Sequence, residues 1–149
     1  MQELIIFLVA ASPVVELRGA IPVALGVYGL PLWQAFLLSI AGNMVPVLLL
    51  PLLGVVSYEL SRRFSFFKRF FTWLFERTQR KHKKKFERFY DFALIVFVAI
   101  PLPFTGAWTA MLAAFVFGIP FKRAFPLILF GVIIAAVIVS TLTLGLLSI

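Results

Sequence analysis

Tyr28-Gly29-Leu30-Pro31-Leu32-Trp33-Gln34-Ala35-Phe36 returns 89 residues later as Phe117-Gly118-Ile119-Pro120-Phe121-Lys122-Arg123-Ala124-Phe125. At the same offset Gly42 falls on Gly131. Weak internal symmetry of this kind is common in transporters, the alternative for so short a match being coincidence. Outward from each Gly-x-Pro turn, both halves follow one plan. A short apolar stretch leads into a polar, Pro-rich interruption. A second short apolar stretch follows, then the turn, then one long apolar run.

The long runs are Leu32 to about Leu60 and Ala124 to about Leu147. Each exceeds the roughly 20 residues that cross a bilayer core at 1.5 Å per residue. Pro46 and Pro51 interrupt the backbone ladder of the first and predict a kink there. Ser39 and Asn43, one helical turn apart, share a face of it.

The short stretches are Glu3 to Ala11, Gly19 to Tyr28, Phe92 to Ile100 and Ala107 to Phe117. Each is about half a span, a length that suits re-entrant segments of about 10–14 residues. Between the members of the first pair lies Ser12-Pro13-Val14-Val15-Glu16-Leu17-Arg18-Gly19-Ala20-Ile21-Pro22, and between those of the second Pro101-Leu102-Pro103-Phe104-Thr105-Gly106. Pro13, Gly19 and Pro22, with Pro101, Pro103 and Gly106, predict irregular backbone at both places. Such backbone persists at membrane depth where protein or a water-lined cavity covers it.

Composition agrees with a lipid solvent. Of 149 residues, 62% are hydrophobic and 13% charged, against about 45–50% and about 25% in soluble domains. The net charge of +8 is concentrated, with 11 of the 14 Lys and Arg between Arg62 and Arg88. A basic run flanked by apolar halves points to the cytoplasmic side of a membrane, not to nucleic acid. With no cysteine, disulfides and thiolate metal sites are excluded. The first residues, carrying Glu3 and no basic n-region, read as mature protein rather than as a signal peptide.

Charge also sets topology. Were Phe92 to Phe117 a full span, Lys122 and Arg123 would lie outside, against the positive-inside rule. A re-entrant hairpin returns them to the inside, while Trp33 and Gln34 at the matching first-half turn are neutral, as an outside turn permits. The expectation is an all-α integral membrane protein in one domain, 1–149. It comprises two inverted half-repeats (1–61 and 92–149), each a re-entrant helical hairpin plus one transmembrane helix, with both chain ends outside. The linker 62–91 places Phe64, Phe67, Phe70, Phe71, Leu74, Phe75 and Thr78 near helical spacing, with Lys68, Arg69, Glu76 and Arg77 off that face. It reads as a basic amphipathic cytoplasmic helix lying on the inner leaflet. Arg80, Lys81, Lys83, Lys84 and Lys85 form a surface for anionic lipid headgroups; a topology-fixing, solvated loop is the alternative.

Charges at membrane depth pair, line cavities or carry pathways, so Glu16 and Arg18 lead the candidate residues. Glu16 suits proton coupling or cation binding, and Arg18 an anion or phosphate contact; alternatively the two form an ion pair holding a hairpin tip. Thr105, Trp108 and Thr109 flank a half-helix start at Gly106, whose free amides and dipole suit an anionic group, or else a Thr-capped turn. Asn43 lines the same cavity or ties helices together. His82, the only histidine, sits among bases where a metal ligand is disfavoured. No triad, phosphate loop or acidic metal cluster is present, so neither enzyme activity, metal nor cofactor is expected.

Glu16-Leu17-Arg18-Gly19-Ala20-Ile21-Pro22, Gly42-Asn43-x-x-Pro46 and Pro101-Leu102-Pro103-Phe104-Thr105-Gly106-Ala107-Trp108-Thr109 together resemble the small multidrug export proteins of bacteria and archaea, in order and over nearly the whole chain. The resemblance implies export of small lipophilic or cationic compounds across a prokaryotic plasma membrane. A more distant similarity is to DedA-like membrane proteins, whose paired re-entrant hairpins are associated with moving lipids or lipid-linked carriers. Their acidic residue near prolines is matched by Glu16. Their second-hairpin arginines are replaced here by Thr105, Gly106 and Trp108, which leaves Arg18 as the candidate cation at depth. The reading is therefore a transporter with a site at the hairpin tips, formed by Glu16, Arg18, Asn43, Thr105, Trp108 and Thr109. Its partners are membrane lipids and a small-molecule or lipid substrate, and a homodimer is expected because two spans enclose little. The alternatives are a translocase or scramblase of lipid or lipid-linked phosphate, and a structural or assembly protein.

Overall fold

The computed structural model describes residues 1–79, 84–102 and 105–149, and every regular element among them is helical. In order they are α1 (Gln2–Ala11), α2 (Glu16–Pro22), α3 (Leu32–Met44), α4 (Leu50–Arg63), α5 (Ser65–Gln79), α6 (Lys84–Ala99), α7 (Ala107–Val116) and α8 (Phe121–Leu147). α3 and α4 belong to one helical run of 32 residues, Leu32–Arg63, and α8 has 27. Both are apolar and long enough to cross a bilayer, by the measure of about 20 residues per span.

The first run tightens where its prolines fall. Pro46 brings no N–H for the carbonyl of Gly42, and the chain passes through a 3-10 turn, Pro46–Leu49. There the Val45 N–H donates to Gly42 and the Leu48 N–H to Val45, three residues back instead of four.

Two expectations need correction. The interruption Ser12–Pro22 is not irregular throughout: Glu16–Pro22 is the regular helix α2, and it passes into a π-helical turn, Val23–Val27. The break is confined to Ser12–Val15. Pro22 removes a bond at the last position of α2, where the wider π pattern takes over. The linker, too, is not one element. The chain breaks at Phe64 between α4 and α5, and α6, described from Lys84, runs without interruption into the apolar stretch read as starting at Phe92. Between Lys84 and Ala99 there is no Gly or Pro to stop it. The expected aromatic face is divided: Phe67, Phe71 and Leu74 are half-buried, Phe64 and Phe70 are exposed, and the side chains of Phe75 and Thr78 lie outside the described residues. Phe71 meets Phe115 of α7 edge-on at 6.3 Å between ring centroids, so part of that face turns inward onto protein.

The repeated turns share their backbone. Gly29 and Gly118 both adopt left-handed φ, at 60° and 67°, which glycine tolerates without steric cost. Pro31 and Pro120 then take up extended backbone as N-caps, and α3 and α8 start one residue later. Ten residues on, Gly42 lies against the carbonyl of Phe7 and against Ala10 in α1, and Gly131 lies against the carbonyl of Ile95 and Val98 in α6. Small residues at these points let the helix backbones approach. Thus α1 packs on α3 and α6 on α8.

Contacts at the ends show which elements share a level. Arg123, at the start of α8, donates to Asp91 of α6 through Nη2 at 2.6 Å and Nε at 3.0 Å. Beside them Tyr90 packs on Phe117 at 4.9 Å. Pro51, Gly54 and Ser57 of α4 share a cleft of about 380 Å³ with Phe115, Ile119 and Phe121. At the opposite end of α8, Leu147 lies against Gly26, just before the first turn. The core between these levels is lined by small, fully buried faces, among them Ala107, Ala110 and Ala114 of α7 and Ala124 and Ala136 of α8.

Candidate functional site

The two interruptions meet. Residues from the first, Ala11 to Arg18, are joined to residues of the second, Thr105 to Trp108, by two hydrogen bonds and a close packing contact.

Glu16 is central. It is 6% exposed and holds left-handed backbone at φ 53°, a conformation uncommon for a non-glycine residue and one that surrounding structure must impose. Its carboxylate rests against Gly106 so closely that any Cβ there would overlap it. Gly106 is the N-cap of α7 and has no side chain with which to cap. The carboxylate of Glu16, from the other half of the chain, lies at that helix start. Negative charge at a helix N-terminus is favourable because the first N–H groups have no intrahelical acceptor.

Arg18 completes the charge balance. Its Nη2 lies 3.7 Å from the Glu16 carboxylate, in an ion pair, and donates to the Thr105 hydroxyl oxygen at 3.1 Å. The i,i+2 spacing that would separate the pair on a straight helix is overcome by the left-handed turn at Glu16. Thr105 also accepts from the Leu102 N–H at 3.2 Å, and its own proton is directed at the carbonyls of Ile100 (2.7 Å) and Leu102 (2.8 Å). The hydroxyl therefore closes the second turn and receives the guanidinium at once. Trp108 reaches back: its indole N–H donates to the carbonyl of Ala11 at 2.9 Å, an acceptor left free at the end of α1. Thr109 donates to the carbonyl of Gly106 at 3.0 Å, within its own helix.

Of the residues singled out from sequence, Glu16, Arg18, Thr105 and Trp108 come together, with Gly106 as their floor. Thr109 is one position beyond and turned to its own backbone. Asn43 is buried in α3 at 1% exposure, and neither its amide nitrogen nor its oxygen has a hydrogen-bond partner among the described residues. Pro13 is exposed in the first break, and Gly19 packs tightly on Val15. Pro22 ends α2, and Pro101 follows α6 in the second break. Arg80, Lys81, Lys83 and Pro103 lie outside the described residues, as do the side chains of Lys84 and Lys85. Two features were missed in the sequence. One is the Asp91–Arg123 pair, signalled only by a lone acid at the end of a basic run. The other is Ser140, a buried serine with no hydrogen-bond partner among the described residues. Among the described residues no three His, Asp or Glu side chains gather as a metal site.

No curated protein and no solved structure matches the chain. A family described as "Putative small multi-drug export protein" matches residues 16–138. That span starts at Glu16, where α2 begins, and takes in the second interruption and all but the end of α8. With two apolar helices long enough to cross a bilayer, the chain is a membrane protein, and it belongs to the small multi-drug export protein family.

Proposed function

We propose that this protein exports small lipophilic or cationic compounds across a prokaryotic plasma membrane, with Glu16 as the group that exchanges a proton or neutralises the substrate. The observation that carries this is the ion pair of buried Glu16 with half-buried Arg18 at the junction of two chain interruptions. Charges held at such a depth in an apolar protein are costly and mark pathways.

In this reading α1–α2 and α6–α7 are re-entrant hairpins that enter from opposite faces, and each is followed by a span. The Asp91–Arg123 pair supports it by bringing the start of α8 back to the level at which α6 enters its apolar stretch. The contact of Leu147 with Gly26 supports it by setting the first turn at the other end of α8. The hairpin tips then meet near the midplane, where discontinuous helices form transporter sites. Arg18, Thr105, Trp108, Thr109 and Asn43 complete the polar lining. The basic linker faces the cytoplasm and anionic headgroups, and a homodimer encloses the path.

A second reading is translocation of a lipid or lipid-linked phosphate, which one observation favours: the Arg18 side chain keeps 23% of its surface exposed while bound to Thr105, so a cation at depth remains accessible to a phosphate. Proteoliposomes under an imposed proton gradient separate the two. Export predicts gradient-driven movement of a fluorescent lipophilic cation that Glu16→Gln abolishes. Movement of labelled anionic lipid without the cation would favour the second reading. If folded protein moves neither, both readings fail and a structural role gains.

A further inference from the structure

Ser39, Asn43 and Ser140 are buried polar side chains that the described residues leave unpaired. Their exposures are 0%, 1% and 6%, and the two hydroxyls and both amide atoms have no hydrogen-bond partner among the described residues. A helical serine or threonine has a ready escape, by turning its hydroxyl onto the carbonyl three or four residues back. Ser57, Ser61, Thr109, Thr141 and Thr143 all do so. Ser39 and Ser140 do not. Unpaired buried polar atoms are costly, and each calls for an explanation.

Their positions supply one. α3 packs against α8, and α2, which Glu16 opens, packs against both. α3 leaves the first turn at Leu32, while α8 ends at Leu147 against Gly26 of the same region. Ser39 lies seven residues after Leu32 and Ser140 seven before Leu147, which at 1.5 Å per residue puts both about 10 Å from that end. Asn43 is one turn deeper. The set therefore runs from the level of the first turn toward the middle of the molecule.

We infer that Ser39, Asn43 and Ser140 line a water-bearing route between α3 and α8 that connects the Glu16–Arg18 pair with the face where α3 begins and α8 ends. Two hydroxyls and an amide offer both donors and acceptors and no net charge. That suits water, which needs about 2–4 polar partners in a buried site. The inference rests on the reading of Glu16 as a proton-exchanging group, for which such a route supplies an aqueous phase.

The chain contains no cysteine, so single thiols report water directly. Ser39→Cys and Ser140→Cys would be placed in vesicles and exposed to a small water-soluble methanethiosulfonate. Ala110→Cys and Ala114→Cys, both 0% exposed in α7 and away from the α3–α8 seam, serve as dry references. Because only the thiolate reacts, the serine-site cysteines should be modified at least about tenfold faster than the references. Equal rates overturn the inference. Asn43→Leu provides an independent measurement at similar volume: loss of a water-bonded amide lowers the melting temperature, whereas removal of an idle one raises it. A higher melting temperature also overturns the inference. Neither measurement involves transport, so failure here leaves the Glu16→Gln comparison standing, and failure there leaves the wetting of α3–α8 to be judged by these thiols.

Discussion

In the first interruption the chain re-enters helix through Glu16, a charged residue in left-handed backbone. In the second, the residue at the equivalent offset is Thr105, followed by Gly106 and helix α7. Arg18 falls on Ala107 at that offset. One tip thus carries both charges and the other carries the room, the helix N-terminus and the hydroxyl that receive them. The two segments, which differ in backbone as well as in charge, are complementary: one supplies the ion pair and the other the space and the hydroxyl beside it. The charge of the first tip is tolerable because of what the second lacks, a side chain at Gly106.

The sharpest way to break that complementarity is Gly106→Ala. The new Cβ overlaps the Glu16 carboxylate, and displacing one member of a buried ion pair costs about 3–5 kcal/mol. Unfolding of the purified protein in detergent should register this loss. Adding Glu16→Ala should then recover part of it, because the overlap is gone; a second substitution that merely adds its own cost would show that Gly106 acts through its backbone alone. A smaller effect tests the shared plan. Gly29→Ala and Gly118→Ala each force an ordinary residue into left-handed backbone, with no atom within 4 Å of the added carbon. Each should cost about 1–2 kcal/mol, and the two losses should agree. Unequal losses would mean that the turns differ in more than sequence. The smallest effect probes the level at which the second half starts. Asp91 and Arg123 keep 24% and 38% of their side-chain surface exposed, so Asp91→Asn should cost about 0.2–1 kcal/mol and less in high salt. A larger, salt-insensitive loss would place that pair out of reach of water.

The parts legible in the sequence are those set by local chemistry. Long apolar runs after Pro31 and Pro120 announce helices, and a glycine two residues ahead of each proline announces the turn. The family resemblance, carried by Glu16 to Pro22, Gly42 to Pro46 and Pro101 to Thr109, matches the family found for residues 16–138. Other features depend on partners far away in the chain. That α2 begins at Glu16 was hidden, because prolines on both sides suggested broken backbone, and the left-handed entry is imposed by the contact with Gly106. The break at Phe64 was hidden because the linker's boundaries were drawn by charge, and so was the continuity of α6 across Asp91 into the apolar stretch, which has no Gly or Pro to stop it. Ser140 was hidden because a serine in an apolar helix normally bonds to its own backbone, and this one does not.

The reciprocal seating of Glu16 and Gly106 also sets a schedule. Glu16 leaves the ribosome about 90 residues before its acceptor, which at about 5–20 residues per second is an interval of about 5–20 s. During it the carboxylate, Arg18 and the open carbonyl of Ala11 have no α7 to receive them, and these polar groups depend on water until Thr105 to Trp108 arrive. The last third of the chain is therefore the internal chaperone of the first.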